Sequence, residues 1–475
     1  MKRNRFLLFT AGVLATLILP ACGSIPTMGD ASTPVKRFAD FNVSEKTLAN
    51  GLKVIVKEDH RAPVVVSQIW YKVGSSYEHD GITGVSHVLE HMMFKGTKKH
   101  PPNEFSKIIA ENGGRENAFT GRDYTAYFQQ LEVRRLPISF ELEADRMRNV
   151  ILLEEEFKKE IQVVMEERRM RTEDKPQALT YEQFSATAYV NSGYHWPVIG
   201  WMNDLENMTV DDLAKWYKDW YAPNNATLVV VGDVNPDQVF AMADNYFGAI
   251  KPVKVAVRKP RVEIEQKGIK RLTVKAPAQV PYMMMGYQTP SIGDAKEEWE
   301  PYALEVLAAV LDGGASARFE KHLVREQQVA SSIGTGYDAF TPGRELFMFS
   351  GTPGEGKTVE DLENAIREQL KIISTDLVSD AELDRVKAQV VAGKVYEKDS
   401  IFYQAMAIGT LETTGLDWQL AEQYLDRIKQ VTKEQIRTVA KKYLVDDKLT
   451  VGVLDPQPID PSKARQPAAG GRHGG

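Results

Sequence analysis

The stretch Thr83-Gly84-Val85-Ser86-His87-Val88-Leu89-Glu90-His91-Met92-Met93-Phe94 decides how this chain is read. On a helix, positions i, i+3 and i+4 share a face, so His87, Glu90 and His91 converge. Val85, Leu89, Met92 and Met93 cover much of the remaining circumference and bury the helix. Two imidazoles and a carboxylate on an otherwise apolar helix need a partner that rewards those groups, and a zinc ion does so. A surface helix that happens to carry His and Glu is the plainer account, better suited to a lone pair of histidines than to this pattern.

The order H-x-x-E-H inverts H-E-x-x-H and is a signature of zinc peptidases. A catalytic zinc commonly takes three protein ligands and keeps a fourth position for water. The helical segment Glu154 to Arg171 is the best source of the third. At about 100° per residue its apolar face is Phe157, Ile161, Val164 and Met165, with Glu160 and Glu167 together on one flank and Glu166 pointing away. Glu167 is the expected ligand and Glu160 a supporting carboxylate one layer back. Glu154, Glu155 and Glu156 fit a solvated helix N-terminus.

The 475 residues hold enough apolar material for two or three cores, which excludes wholesale disorder. Lys and Arg total 59 against 65 Asp and Glu, and no dense basic block stands out, so no nucleic-acid partner is expected. A single cysteine excludes an internal disulfide and a thiolate-bound metal cluster within one chain. Any metal must be held by His and carboxylates.

Lys2, Arg3 and Arg5 precede an apolar run from Phe6 to Leu19, the pattern of a secretory signal over residues 1–21. Leu19-Pro20-Ala21-Cys22 resembles a bacterial lipoprotein signal, in which cleavage before the cysteine frees a thiol for lipid. An ordinary signal peptide with a cysteine nearby is the other reading. Gly23 in place of an acidic residue would direct such a lipoprotein to the periplasmic side of the outer membrane, a cell-envelope location, with a soluble periplasmic or secreted form as the alternative. Removing Met1 to Ala21 takes away three positive charges, moving the formal charge from -6 to -9, so broad attraction to anionic lipid is not expected. Residues 22–37 read as a flexible tether and residues 457–475 as a disordered tail.

Strand-like runs at Lys53 to Lys57, Val64 to Val73 and Ala226 to Val231 mix with long amphipathic stretches, an α+β pattern. Met208 to Pro236 and Val431 to Pro456 share a design at an offset of 223 residues: a Thr N-cap, a helix, a polar turn and a strand. A fixed long-range offset favours duplication over convergence of a common αβ ending. The two homologous αβ domains are then 38–252 and 268–456, joined by a Pro- and Lys-rich linker at 253–267.

The chain resembles the M16 metallopeptidase family, also called pitrilysin-like, which includes insulin-degrading enzymes and mitochondrial processing peptidases. The resemblance rests on His87-Val88-Leu89-Glu90-His91, Asn117-Ala118-Phe119-Thr120 followed by Asp123-Tyr124-Thr125, Glu160 with Glu167, and Trp196-Pro197-Val198-Ile199-Gly200. It covers most of the chain and implies the short bacterial and processing-peptidase branch: two domains of the LuxS/M16 metallohydrolase type forming half of a clamshell. It further implies one zinc on His87, His91 and Glu167, with Glu90 as catalytic base and Glu160 as supporting acid. The implied activity is endopeptidase cleavage of peptides or unfolded segments; the competing class is a non-catalytic structural or peptide-binding relative.

Asn117 to Gln129 alternates as an edge strand would, although a buried strand alternates equally well. The resemblance implies that Asn117, Ala118, Phe119 and Thr120 pair with an extended peptide substrate. The second half has no His-x-x-Glu-His, because its equivalent helix, Tyr302 to Asp312, carries Ala, Leu and Val. In the family that half supplies an Arg and a Tyr to hold substrate. Arg325 fits the Arg, whereas the Tyr position falls at Ala330-Ser331-Ser332, with Tyr337 nearby. A dimer is implied, either with a metal-free M16 paralogue that provides the missing group or with a second copy. His195 fits a structural histidine in a loop, and Met283-Met284-Met285 a buried strand.

Overall fold

Residues 32–259 and 261–459 are described by the computed structural model; the expected signal peptide, Cys22 and most of the tail lie outside the described residues. Runs of β-branched and aromatic residues build two sheets. The first half contributes β1 (Lys36–Phe38), β2 (Val43–Thr47), β3 (Lys53–Glu58), β4 (Val64–Tyr71), β5 (Arg115–Thr120), β6 (Thr125–Glu132) and β7 (Ala226–Gly232). They lie in the order β1-β2-β3-β7-β4-β6-β5. The second half contributes β8 (Lys270–Pro277), β9 (Tyr282–Thr289), β10 (Ala330–Gly336), β11 (Glu345–Pro353) and β12 (Leu449–Gln457), in the order β10-β11-β9-β12-β8.

Five positions coincide. The series β3-β7-β4-β6-β5 matches β8-β12-β9-β11-β10, with β3 and β7 parallel, β8 and β12 parallel, and every other pairing antiparallel. The helices of the first half are α1 (Val85–Met92), α2 (Glu104–Glu111), α3 (Leu136–Asn149), α4 (Glu154–Arg168), α5 (Pro176–Ala188), α6 (Met202–Asn207), α7 (Val210–Trp220) and α8 (Pro236–Phe247). Those of the second are α9 (Glu300–Asp312), α10 (Val359–Thr375), α11 (Asp380–Glu397), α12 (Ile401–Thr414), α13 (Gln419–Gln430) and α14 (Lys433–Tyr443). The repeated endings agree residue by residue with the 223-residue offset: α7 and α14 both open on a capping box, made by Thr209 with Asp212 and by Thr432 with Gln435, and β7 and β12 follow.

One face of each sheet packs on its own half's helices, giving two large cores. The other faces are covered reciprocally. Helix α12, from the second half, packs on β4 and β7, where Ala405 and Ile408 join Trp418 against Val43, Ile55, Val66, Trp70, Val229 and Val231. Helix α5, from the first half, packs on β8, β12 and β9, and its Phe184 and Ala188 share a cluster with Met284 of β9 and Leu346 of β11. Glycines make room for the large rings at both crossings. A Cβ on Gly409 would stand 2.1 Å from the Trp70 indole, and one on Gly286 or Gly452 would stand 2.8 or 3.0 Å from the Phe184 ring. Ion pairs Lys53–Glu412 and Lys57–Glu422, both at 2.6 Å, border the first crossing.

The linker carries no helix or strand among its described residues but is fastened to the surface. Glu263 accepts backbone N–H bonds from Val190, Asn191 and Ser192, and Arg258 and Arg261 lie over the rings of Tyr77 and Trp196. Among the described residues no helix is long and apolar enough to cross a membrane.

Candidate metal centre

Two carboxylates and a glycine pair place α1. Glu78 is fully buried and accepts from the backbone N–H groups of Gly84 at 2.7 Å and Ser86 at 2.9 Å, at the N-terminus of the helix. These otherwise unpaired donors and the helix dipole both favour a carboxylate there. Burial pushes the Glu78 carboxyl up to about 8 even so. Asp204 accepts from the N–H of Thr83 at 3.1 Å and from its hydroxyl at 2.5 Å. Gly84 and Gly200 both have positive φ, +88° and +84°, and their backbones meet: a Cβ on Gly200 would stand 2.4 Å from the Thr83 carbonyl oxygen. The Trp196-to-Gly200 segment thus braces the entry to the helix. Glu78 and Asp204 were not legible as braces in the sequence, because their partners are backbone groups placed by the fold.

On α1, His87, Glu90 and His91 share the buried face, and α4 brings Glu160 and Glu167 to it. The Nε2 atoms of His87 and His91 stand 3.9 and 3.4 Å from one oxygen, Oε2 of Glu167. Tetrahedral ligands at zinc–nitrogen distances of about 2.0–2.1 Å would be about 3.4 Å apart. These three residues form the one group of three or more potential ligands among the described residues, with donor atoms within 4.8 Å of one another. His91 has Nδ1 bonded to Glu160 Oε1 at 2.9 Å, which leaves Nε2 for a metal. Its electrostatics suit a cation. Burial and the neighbouring ring push His87 down to about 4, keeping it neutral. Burial also disfavours charge on His91, but hydrogen bonds to Glu160 and Glu167 outweigh it and raise that ring to about 9. Two imidazoles and a carboxylate converging in this way fit a divalent zinc.

Glu90 is 9% exposed, and its Oε2 accepts from the Thr120 hydroxyl at 2.6 Å. Burial raises its carboxyl above the ordinary value, against the pull of that hydrogen bond. Glu167 is held below the usual range by its bond to His91, opposed by burial and assisted by His87 and Arg171, which lies 2.7 Å from Oε1. The wheel reading of α4 agrees with the burial of Phe157, Glu160, Ile161, Val164 and Met165. Beyond Arg168 the chain widens into a π-helical turn, Arg169–Glu173, which no sequence signal announced.

The site opens on a cavity of about 1190 Å³ walled by both halves, including Met170 and Tyr181 on one side and Phe340, Pro342 and Thr410 on the other. Asn117, Ala118, Phe119 and Thr120 all line it, on the outermost strand β5, whose sole strand partner among the described residues is β6. The segment read as one edge strand divides here: 117–120 is the edge, 121–124 a turn, and Thr125 onward the interior strand β6. Thr120 has a second role as the support of Glu90. Arg325 is not brought to the site. It lies in the π-helical Phe319–Glu326, donates to the Ala315 carbonyl at 2.6 Å and is not among the residues lining the cavity. Tyr337 is likewise engaged elsewhere, donating to the Pro290 carbonyl and stacking on Phe347.

Comparison with known proteins decides the family. Residues 53–200 match the family model described as Insulinase (Peptidase family M16), and residues 207–390 the one described as Peptidase M16 inactive domain. The chain belongs to the M16 peptidase family. It is 32% identical to the zinc protease PqqE of Helicobacter pylori, over 86% of this chain and 92% of that one. It is 25% identical to the uncharacterized zinc protease YmxG of Bacillus subtilis, over 85% and 96%. Among solved structures, a protease from Helicobacter pylori superposes with a TM-score of 0.83 at 32% identity, covering 87% of this chain and 99% of that one. An M16 inactive-domain protein from Pseudomonas fluorescens superposes at 0.78 with 17% identity, covering 88% and 100%, and speaks for the fold alone. The M16 peptidase model falls on the half that carries His87, Glu90, His91 and Glu167, and most of the inactive-domain match falls on the half without them.

Proposed function

We propose that this chain is a zinc-dependent endopeptidase acting on extended peptides or unfolded segments. The observation that carries the reading is the meeting of His87, His91 and Glu167 beside Glu90 on the wall of a large cavity. A zinc ion held there would supply a lowered water pKa and polarisation of the scissile carbonyl. Glu90, steadied through Oε2 by Thr120, has Oε1 to take a proton from water and return it to the leaving amine. Strand β5 offers backbone groups along its outer edge for a substrate strand, so recognition would depend on main-chain pairing more than on side chains. We further read the chain as half of a dimeric chamber, homomeric or with a metal-free paralogue, tethered through lipid on Cys22 to the periplasmic side of the outer membrane.

The test is cleavage of an unstructured fluorogenic peptide before chelation, after it, and after zinc is returned. Loss and recovery support the proposal. Glu90→Gln should bind zinc as the parent does while turnover falls about 100- to 10,000-fold; His87→Ala and Glu167→Gln should lose both. Protein that binds no zinc, or binds it and cleaves nothing, is the non-catalytic relative.

A further inference from the structure

Glu160 is 8% exposed and divides its two oxygens between two partners. Oε1 takes the Nδ1 of His91 at 2.9 Å, and Oε2 takes the ammonium of Lys95 at 2.5 Å. Lys95 follows His91 by four residues and lies just past the end of α1, where its backbone N–H bonds to the Met92 carbonyl at 3.0 Å. The turn that ends the metal-bearing helix thus carries a cation back against the carboxylate supporting one of that helix's own histidines. His87 has no such backing: its Nδ1 is buried without a hydrogen-bond partner. Of the two rings, only His91 is oriented from behind, and its backing group is itself anchored by Lys95.

We propose that Lys95 is a positioning residue for the metal: by pinning Glu160 it fixes the tautomer and orientation of His91 and so sets the zinc affinity of the site. The inference rests on the reading of His87, His91 and Glu167 as zinc ligands. A lysine at a protein surface commonly makes an ion pair of little consequence. Here its partner is buried, and the partner's other oxygen is bonded to a ligand ring, so freeing Oε2 frees the carboxylate to turn away from that ring. Groups behind a metal-binding histidine typically change metal affinity about 10–100-fold when removed.

The experiment is a zinc titration of the metal-stripped full chain in competition with a chromogenic chelator, paired with the thermal midpoint of the metal-free protein. Glu160→Gln should weaken zinc binding about 10–100-fold and Lys95→Met about tenfold. Lys95→Arg, which keeps the charge and a donor, should restore most of the affinity. Lys95→Met combined with Glu160→Gln should bind no more weakly than Glu160→Gln alone, since both act through one carboxylate. Lys95→Gln is read in the same way if the Met variant does not fold. Parent-like affinity in the folded neutral variant, or a Lys95 effect undiminished in the Glu160→Gln background, overturns the inference. A parent chain that binds no zinc overturns the metal reading itself, and this inference with it.

Discussion

At the residue scale, the cluster of His87, His91 and Glu167 beside Glu90 was legible and the groups that support it were not. His87, Glu90 and His91 repeat at helical spacing within five residues, and Glu160 and Glu167 within eight, so one helical wheel each sufficed. Thr120 lies 30 residues from Glu90 and its hydroxyl reaches that carboxylate only after β5 has joined the sheet. Lys95 carries no sequence signal of its own, and Arg325, implied as a substrate ligand by the family resemblance, has its guanidinium donating to the Ala315 carbonyl. A hydrogen bond to a charged group contributes about 1.5–3 kcal/mol, so Thr120→Val should lower turnover about tenfold or more while zinc stoichiometry stays unchanged. Steady-state kinetics beside metal analysis checks this, with Thr120→Ser expected to recover most of the rate. Parent-like turnover in Thr120→Val, with the loss in Thr120→Ser instead, would show that Thr120 acts through its methyl group and not its hydroxyl.

At the element scale, α9 occupies in the second half the place of α1 in the first, between matching strands of the two sheets. Its chemistry is different. Glu305 of α9 is bonded to the hydroxyl of Tyr424 on α13, while its Oε2 is buried without a partner. Burial pushes its carboxyl up to about 7, with the Tyr424 bond and Lys394 pulling the other way and Asp338 and Glu397 adding to the rise. An acid whose folded pKa is raised binds its proton more tightly in the folded state. Stability is therefore greatest below the unfolded value near 4.5, falls as pH rises, and reaches its full loss above about 7. The loss is on the order of 3 kcal/mol. Urea unfolding at pH 5 and pH 8 should show Glu305→Gln losing less stability between the two than the parent; identical losses would mean that Glu305 does not titrate in this window. The strands and the paired endings were legible because alternation and capping are local. The π-helical turns at Arg169–Glu173 and Phe319–Glu326 were not, since no residue type marks them.

At the scale of the whole molecule, the sequence divides into halves where the structure interleaves them. Periodicity locates α5 and α12 but says nothing of which sheet each covers, so their exchange could not be read in advance. Gly409 supplies a test in which two effects have opposite signs. Glycine to alanine in a helix interior ordinarily stabilises by about 1 kcal/mol. Here the new methyl would meet the fully buried Trp70 ring at 2.1 Å, and overpacking of that kind costs about 1–3 kcal/mol. Gly409→Ala should therefore destabilise, and hydrogen exchange should register the loss at β4 and β7 of the first half as well as in α12. A gain in stability, or a loss confined to the second half, would contradict the crossing.

The exchange of α5 and α12 also bears on inheritance. Once each copy of a duplicated gene segment roofs the other's sheet, deleting either leaves an oily surface bare, whatever has become of its own chemistry. The copy without a His-x-x-Glu-His stretch is then kept as architecture, free to drift wherever it does not touch its sibling.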